Sequence, residues 1–175
     1  MNPAHAYGEA KRAAENMCAT YGYEFGLETI VARCFAFVGP DLPLDAHFAI
    51  GNFIHDALYS EALTIQGDGS PVRSYLDQSD LSRWLSVLLS QARGGQAYNV
   101  GSNEAVSLTE LATLVRDLLA PQKAIHIQNK APASPRSRYV PSIDKAFNEL
   151  GLGVTVTLAE AILATAHSHI GGPSS

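Results

Sequence analysis

Apolar residues recur along this chain with a helical period in some stretches and as short strand-like runs in others, so the chain divides into alternating α and β segments. Ala6, Ala10, Ala13, Ala14, Met17 and Cys18 fall at helical spacing and predict a first helix over residues 6–21, broken by Gly22 and Gly26. The apolar, β-branched run from Leu27 to Phe37 ends at Gly39-Pro40 and predicts a buried parallel strand. Phe48, Ile50, Phe53, Ile54 and Leu58 predict a helix over 48–60, and short strands at 63–66 and 72–76 flank the Gly67 to Pro71 turn. Leu81, Trp84, Leu85, Leu88 and Leu89 predict an amphipathic helix over 79–91, followed by Gly94-Gly95 and a strand at 97–100. Ser107-Leu108-Thr109-Glu110 and Thr157-Leu158-Ala159-Glu160 match the capping box, in which a hydroxyl and a carboxylate satisfy free backbone donors at a helix start. They predict helices over 108–119 and 158–169. A strand near 124–128, a loop from Pro132 to Pro141 and a helix over 142–150 stopped by Gly151 complete the pattern. The tail from Gly171 to Ser175 predicts disorder.

The alternation makes this an α/β protein. With 175 residues, 46% of them hydrophobic, the chain can bury the core of one compact domain, or of two loosely coupled halves. A net charge of −5 without a lysine/arginine cluster argues against nucleic acid or a membrane surface as partner. No apolar run approaches a transmembrane length and no signal peptide opens the chain, so the expected location is cytoplasmic. Cys18 and Cys34, with neither CxxC nor Cys/His metal spacing, are expected as core thiols, with no disulfide and no structural metal.

Candidate chemistry begins at Tyr7-Gly8-Glu9-Ala10-Lys11, where a phenol and an ammonium four residues apart share one helix face. A phenol titrates near pH ~10, and a neighbouring cation favours tyrosinate, a general base. Alone, Tyr-x-x-x-Lys is equally a solvated helix face. Its support lies downstream, in Arg33-Cys34-Phe35-Ala36-Phe37-Val38-Gly39-Pro40, Gly67-Asp68-Gly69, Arg73 with Asp80, and Tyr98-Asn99-Val100-Gly101.

In that order and at those spacings the segments resemble the extended short-chain dehydrogenase/reductases, the NAD-dependent epimerase/dehydratase family acting on nucleotide sugars. The resemblance runs from the family's catalytic helix to the C-terminus. It implies a partial Rossmann-like parallel sheet, lacking its N-terminal cofactor half, with a smaller α/β substrate-binding lobe. Residues 1–47 would be the remnant of the dinucleotide-binding domain and 48–175 the substrate-binding portion, with 79–101 packing back on the sheet. The glycine-rich phosphate turn, the acidic ribose ligand and the catalytic Ser/Thr of the family have no counterpart here.

The resemblance further implies that Tyr7 is the base and that Lys11 acts on it and holds the nicotinamide ribose, with Phe35 also at the NAD site. Arg73 would reach the diphosphate; as an ordinary strand-surface residue it would instead pair with Asp77 or Asp80. Arg138 is preferred over Arg136 as the second diphosphate arginine, because Tyr139 could stack on a base. Asn52 would bind the diphosphate or sugar, or else is a plain helix asparagine. His47 and His55 are weaker ligand candidates, and Arg33 is expected in a structural ion pair. Many relatives have asparagine at position 36 and tyrosine at position 38, so Ala36 and Val38 remove polar contacts to the sugar. The first helix would pair two subunits in a homodimer, or else pack on the sheet.

The leading function is therefore the C-terminal portion of an NAD-dependent nucleotide-sugar epimerase or dehydratase, inactive as this chain alone. A non-enzymatic nucleotide-sugar-binding or dimerisation module is the alternative. A small α/β hydrolase is disfavoured, since no Gly-x-Ser-x-Gly elbow occurs. A sheet without its central strands should expose an edge prone to pairing between chains.

Overall fold

The computed structural model describes residues 6–46, 48–129 and 137–171. Helix α1 (Ala6–Phe25) reads through Gly22 and stops before Gly26, whose φ of 66° lies in the left-handed region that favours glycine. A lone glycine costs a helix only about 1 kcal/mol, so Gly22 does not break it. The strand predicted over 27–37 divides into β1 (Val31–Cys34) and β2 (Phe37–Val38), which enter different sheets. β1 pairs in parallel with β6 (Ala97–Val100), Val31 opposite Ala97. β2 pairs in parallel with β5 (Leu76–Asp77). The crossing point is tied on both sides: the Phe35 N–H donates to the Val100 carbonyl at 3.0 Å, and the Leu76 N–H donates to the Ala36 carbonyl at 3.0 Å.

Helix α2 (Ala49–Tyr59) leads to β3 (Leu63–Ile65), which pairs in parallel with β8 (Ile125–Ile127). β4 (Val72–Arg73) lies between antiparallel β7 (Val106–Ser107) and parallel β9 (Arg138–Tyr139). β9 falls within the predicted Pro132 to Pro141 loop; its pairing with β4 is non-local and leaves no periodic trace in two residues. Helices α3 (Gln78–Gln91), α4 (Leu108–Leu119), α5 (Asp144–Leu150) and α6 (Leu158–Gly171) complete the fold. Both capping boxes form: the Ser107 N–H donates to the Glu110 carboxylate at 2.8 Å, and that of Thr157 to Glu160 at 2.9 Å. His47, Arg136 and the four residues after Gly171 lie outside the described residues.

The hydrophobic interior forms two clusters. One gathers α2, α4 and α6 around Ile50, Ile54, Leu63, Leu111 and Ile162, and includes Val38 at full burial. The other gathers Trp84, Leu88, Tyr98, Val100, Ile143 and Leu152 beneath the β1-β6 pair. Each such side chain contributes about 1.5–3 kcal/mol by leaving water. Asp80 on α3 locks the second cluster to the segment before α6. Its buried carboxylate accepts N–H bonds from Thr155 at 2.7 Å and Val156 at 3.1 Å, the Thr155 hydroxyl at 2.6 Å and the Arg83 guanidinium at 2.7 Å. Burial pushes this carboxyl up, but the bonds from Thr155, Arg83 and Val156 outweigh it and hold it below its usual value.

Helix α1 lies at the margin of the fold. None of its 20 residues is buried, and Met17, Tyr21 and Phe25 are 60%, 50% and 64% exposed. Among the described residues it is hydrogen-bonded to the rest of the fold at two places. The Thr29 hydroxyl donates to the Cys18 carbonyl at 3.1 Å, and Arg33 forks onto Glu15 through Nε at 2.8 Å and Nη2 at 2.7 Å. Arg33 is thus the structural ion pair its place in a strand predicts. Cys18 and Cys34, expected in the core, are both exposed. The reason is that β1 has β6 on one side and no strand on the other among the described residues, so β1 and the helix over it are rim rather than interior.

Candidate functional site

Three clefts adjoin one another across the face where α1, β1, α2 and β4 meet. The first, of about 720 Å³, separates α1 from β1 and is lined by Tyr7, Lys11, Cys34, Phe35 and Tyr139. The helical spacing places the Lys11 ammonium 5.5 Å from the centre of the Tyr7 ring, and Tyr7 itself is 76% exposed. Partial desolvation by the cleft walls pushes the Cys34 thiol up even though the residue is exposed, with the Lys11 charge opposing it. Phe35 stacks on Tyr139 at 4.5 Å between ring centres and 26° between planes. Gly101 makes this packing possible, since a Cβ there would come within 3.1 Å of Phe35 and 3.0 Å of Pro141.

Phe35 is also a wall of the second cleft, about 470 Å³, which contains Arg73 and Tyr75. Arg73 pairs with neither Asp77 nor Asp80. Its Nη1 donates to the Val72 carbonyl at 2.9 Å and the Ser137 carbonyl at 3.0 Å, and its Nη2 donates to the Ser137 hydroxyl at 3.2 Å. Asp77 instead caps α3 through the Ser79 N–H, and Asp80 is engaged as above. Of the five guanidinium hydrogens, Nε–H and one Nη2–H are left without a partner among the described residues, enough to bind an oxyanion side-on. Burial pushes the Tyr75 phenol up to about 12 against the opposing Arg73 charge, so it is a neutral hydroxyl.

The third cleft, about 600 Å³, shares Ala49 and Leu108 with the second and is lined by Asn52, His55, Asp56 and Gln66. Asn52 therefore lies beyond Arg73 in the series, not beside it. His55 stands 3.8 Å from Asp56 and edge-on to Tyr59. Asp56 is occupied, accepting the Thr64 N–H at 3.0 Å and the Ser60 hydroxyl at 3.1 Å. The turn leading to this face depends on Gly69, whose φ is 76° and whose missing side chain leaves room for the Thr109 hydroxyl. Arg138 is exposed on β9 opposite Val72, so strand alternation puts Arg73 and Tyr139 on one face and Arg138 on the other. Tyr75 and Gln66 join the clefts without having been singled out in the sequence; only their nearness to Gly67-Asp68-Gly69 and Arg73 marks them.

Parallel strand pairs with helices packed against them, a Tyr-x-x-x-Lys helix over a strand and an arginine one cleft away define a Rossmann-like α/β protein of the dehydrogenase/reductase class. Residues 1–101 match the NAD dependent epimerase/dehydratase family, and the chain belongs to that family. UDP-glucuronic acid decarboxylase 6 of Arabidopsis thaliana is 35% identical over 156 residues, covering 89% of this chain and 45% of that protein. UDP-glucuronic acid decarboxylase 1 of Danio rerio is 35% identical over 165 residues, covering 94% and 39%. The chain thus spans less than half the length of these relatives. Among solved structures, the UDP-glucose 4-epimerase of Thermotoga maritima with UDP-glucose superposes with a TM-score of 0.85 at 23% identity, over 94% of this chain and 53% of that one. The dTDP-glucose 4,6-dehydratase of Bacillus anthracis in complex with NAD gives 0.82 at 25% identity, over 95% and 52%. These matches bear out the family resemblance and the α/β fold.

Proposed function

We propose that this chain is the substrate-binding portion of a cytoplasmic NAD-dependent enzyme acting on nucleotide-diphosphate sugars, and that alone it binds the nucleotide without turning it over. The observation that carries this reading is the continuous series of clefts from Tyr7, past Phe35, to Arg73 and on to Asn52. A sugar bound near the phenol, a diphosphate at the arginine and a nucleoside beyond it fit that order. Family membership and the UDP-sugar and dTDP-sugar names of the relatives support it.

The cleft between α1 and β1 suits the nicotinamide ribose, with a cation, a phenol and the Phe35 ring on its walls. It does not hold the dinucleotide's pyrophosphate, for which the sequence has no glycine-rich turn between strand and helix. NAD would supply the hydride acceptor. Tyr7 Oη takes the proton from the sugar hydroxyl, and Lys11 keeps positive charge beside the phenol. Arg73 offers its free side-on hydrogens to the diphosphate and Asn52, one cleft beyond, its amide to the adjoining part of the nucleotide, whereas Arg138 lies on the opposite face of the sheet from Arg73 and is set aside as the second diphosphate arginine. Isothermal titration of the chain with UDP and dTDP tests the reading. Arg73→Ala should weaken binding about 10- to 100-fold, the worth of about 1.5–3 kcal/mol for hydrogen bonds to a charged group, while Arg73→Lys recovers only the point charge. Absence of binding by either nucleotide to the unaltered chain would overturn it.

The exposed Met17, Tyr21 and Phe25 on α1 support a homodimer through that helix. Sedimentation velocity should report a dimer, and Met17→Glu with Tyr21→Glu should convert it to monomer. A monomer at all concentrations in the unaltered chain refutes this part.

A further inference from the structure

Resting on the nucleotide-sugar reading, we infer that Ser137 is a positioning residue of the diphosphate site: its hydroxyl and carbonyl together orient the Arg73 guanidinium for the diphosphate without neutralising it. Both groups come from one residue and reach both terminal nitrogens of Arg73. Nη1 donates to the carbonyl at 3.0 Å and Nη2 to the hydroxyl at 3.2 Å. The carbonyl is itself fixed, because it also accepts the Val72 N–H at 2.8 Å where β9 joins β4. Two residues before Tyr139, Ser137 falls on the face that Tyr139 shares with Arg73.

A guanidinium tied at one nitrogen still swings about that bond. Tied at both ends of its fork it is fixed in plane, and Nε–H with the remaining Nη2–H is left as one open edge. Arginine ordinarily loses rotamer freedom when it grips a ligand, and ordering it beforehand spares the complex that loss. The anchors are also uncharged. Arg33, Arg83 and Arg116 each lie against a carboxylate, which cancels much of a cation's pull on a phosphate. Arg73 has a hydroxyl and two carbonyls instead, counting that of Val72 at 2.9 Å, so its charge remains for the ligand.

Ser137→Ala removes the hydroxyl and keeps the carbonyl, so it tests the role while leaving the strand pairing intact. In isothermal titration of the full chain with UDP and dTDP, it should weaken binding about two- to tenfold, the range for freeing one ordered side chain, at an unchanged melting temperature. Ser137→Thr, which restores a hydroxyl, should recover the affinity. Ser137→Asp ties the guanidinium but offsets its charge, and should weaken binding more than Ser137→Ala. In an Arg73→Ala background, Ser137→Ala should have no further effect. Without any ligand, nitrogen-15 NMR should resolve separate Arg73 Nη1 and Nη2 signals in the unaltered chain and one averaged signal in Ser137→Ala. Unchanged affinity in Ser137→Ala, an equal loss in the Arg73→Ala background, or an averaged signal in the unaltered chain overturns the inference and leaves the nucleotide reading standing. Failure of UDP and dTDP to bind the unaltered chain removes the nucleotide reading, and the inference with it.

Discussion

Asp80→Ala should lower the unfolding free energy by about 3 kcal/mol, read from urea denaturation followed by circular dichroism. The carboxylate accepts four bonds from donors on two separate segments, and its removal takes the acceptor from the N–H groups of Thr155 and Val156 and from the partly buried Arg83, all of which converge on the buried Asp80. Asp80→Asn keeps the shape but replaces one acceptor oxygen with a donor, and should be nearly as harmful. The pH dependence has a definite sign. Because the folded carboxyl titrates below its usual value, its stabilisation is fully present above the unfolded value of about 3.9, and is lost as pH falls through the lower folded value. Between pH 5 and pH 2 the unaltered chain should therefore lose more stability than Asp80→Ala. Equal acid sensitivity of the two proteins, or a change below 1 kcal/mol on substitution, would show that this lock contributes little.

The second large effect concerns Tyr7. Joined to the cofactor-binding half of a relative such as a UDP-glucuronic acid decarboxylase, the chain should give a turnover that Tyr7→Phe cuts about 10²- to 10⁴-fold, the range typical of a positioned general acid or base. The affinity for UDP should be unchanged, since Tyr7 and Arg73 line different clefts that meet at Phe35. Lys11→Ala should follow Tyr7→Phe in direction with a smaller loss. A chimera that keeps its rate with phenylalanine at position 7 would remove Tyr7 from the chemistry, whatever its family place.

Local signals carried much of this structure. The two capping boxes mark the starts of α4 and α6, and the strand at 97–100 matches β6 because its apolar run sits between a glycine pair and Gly101. The division of 27–37 was hidden, since the residues on both sides of Phe35-Ala36 are equally apolar and only their partners differ. β9 was hidden for the same reason: two residues acquire strand geometry from β4, far away in sequence. Burial was the least legible property. Helical spacing of small residues describes α1 correctly as a helix with a face, yet says nothing about whether another surface covers that face. The candidate site was legible as residue types, and the order Tyr7, Phe35, Arg73, Asn52 along one series of clefts emerged only from the packing.

The Glu15–Arg33 fork and the Thr29–Cys18 bond are slender moorings for a helix of 20 residues with no buried side chain. Such a segment opens by local fluctuation while the two cores remain closed. Arg73, by contrast, is held by β4, β9 and the Ser137 carbonyl. The two ends of a bound ligand therefore report to different thermodynamic units. A nucleotide gripped at Arg73 should raise the cooperative melting of the whole chain, whereas a group gripped at Tyr7 should chiefly slow the amide exchange of one helix. On the proposed reading, affinity would rest on the strand-held arginine and reactivity on the lightly moored helix.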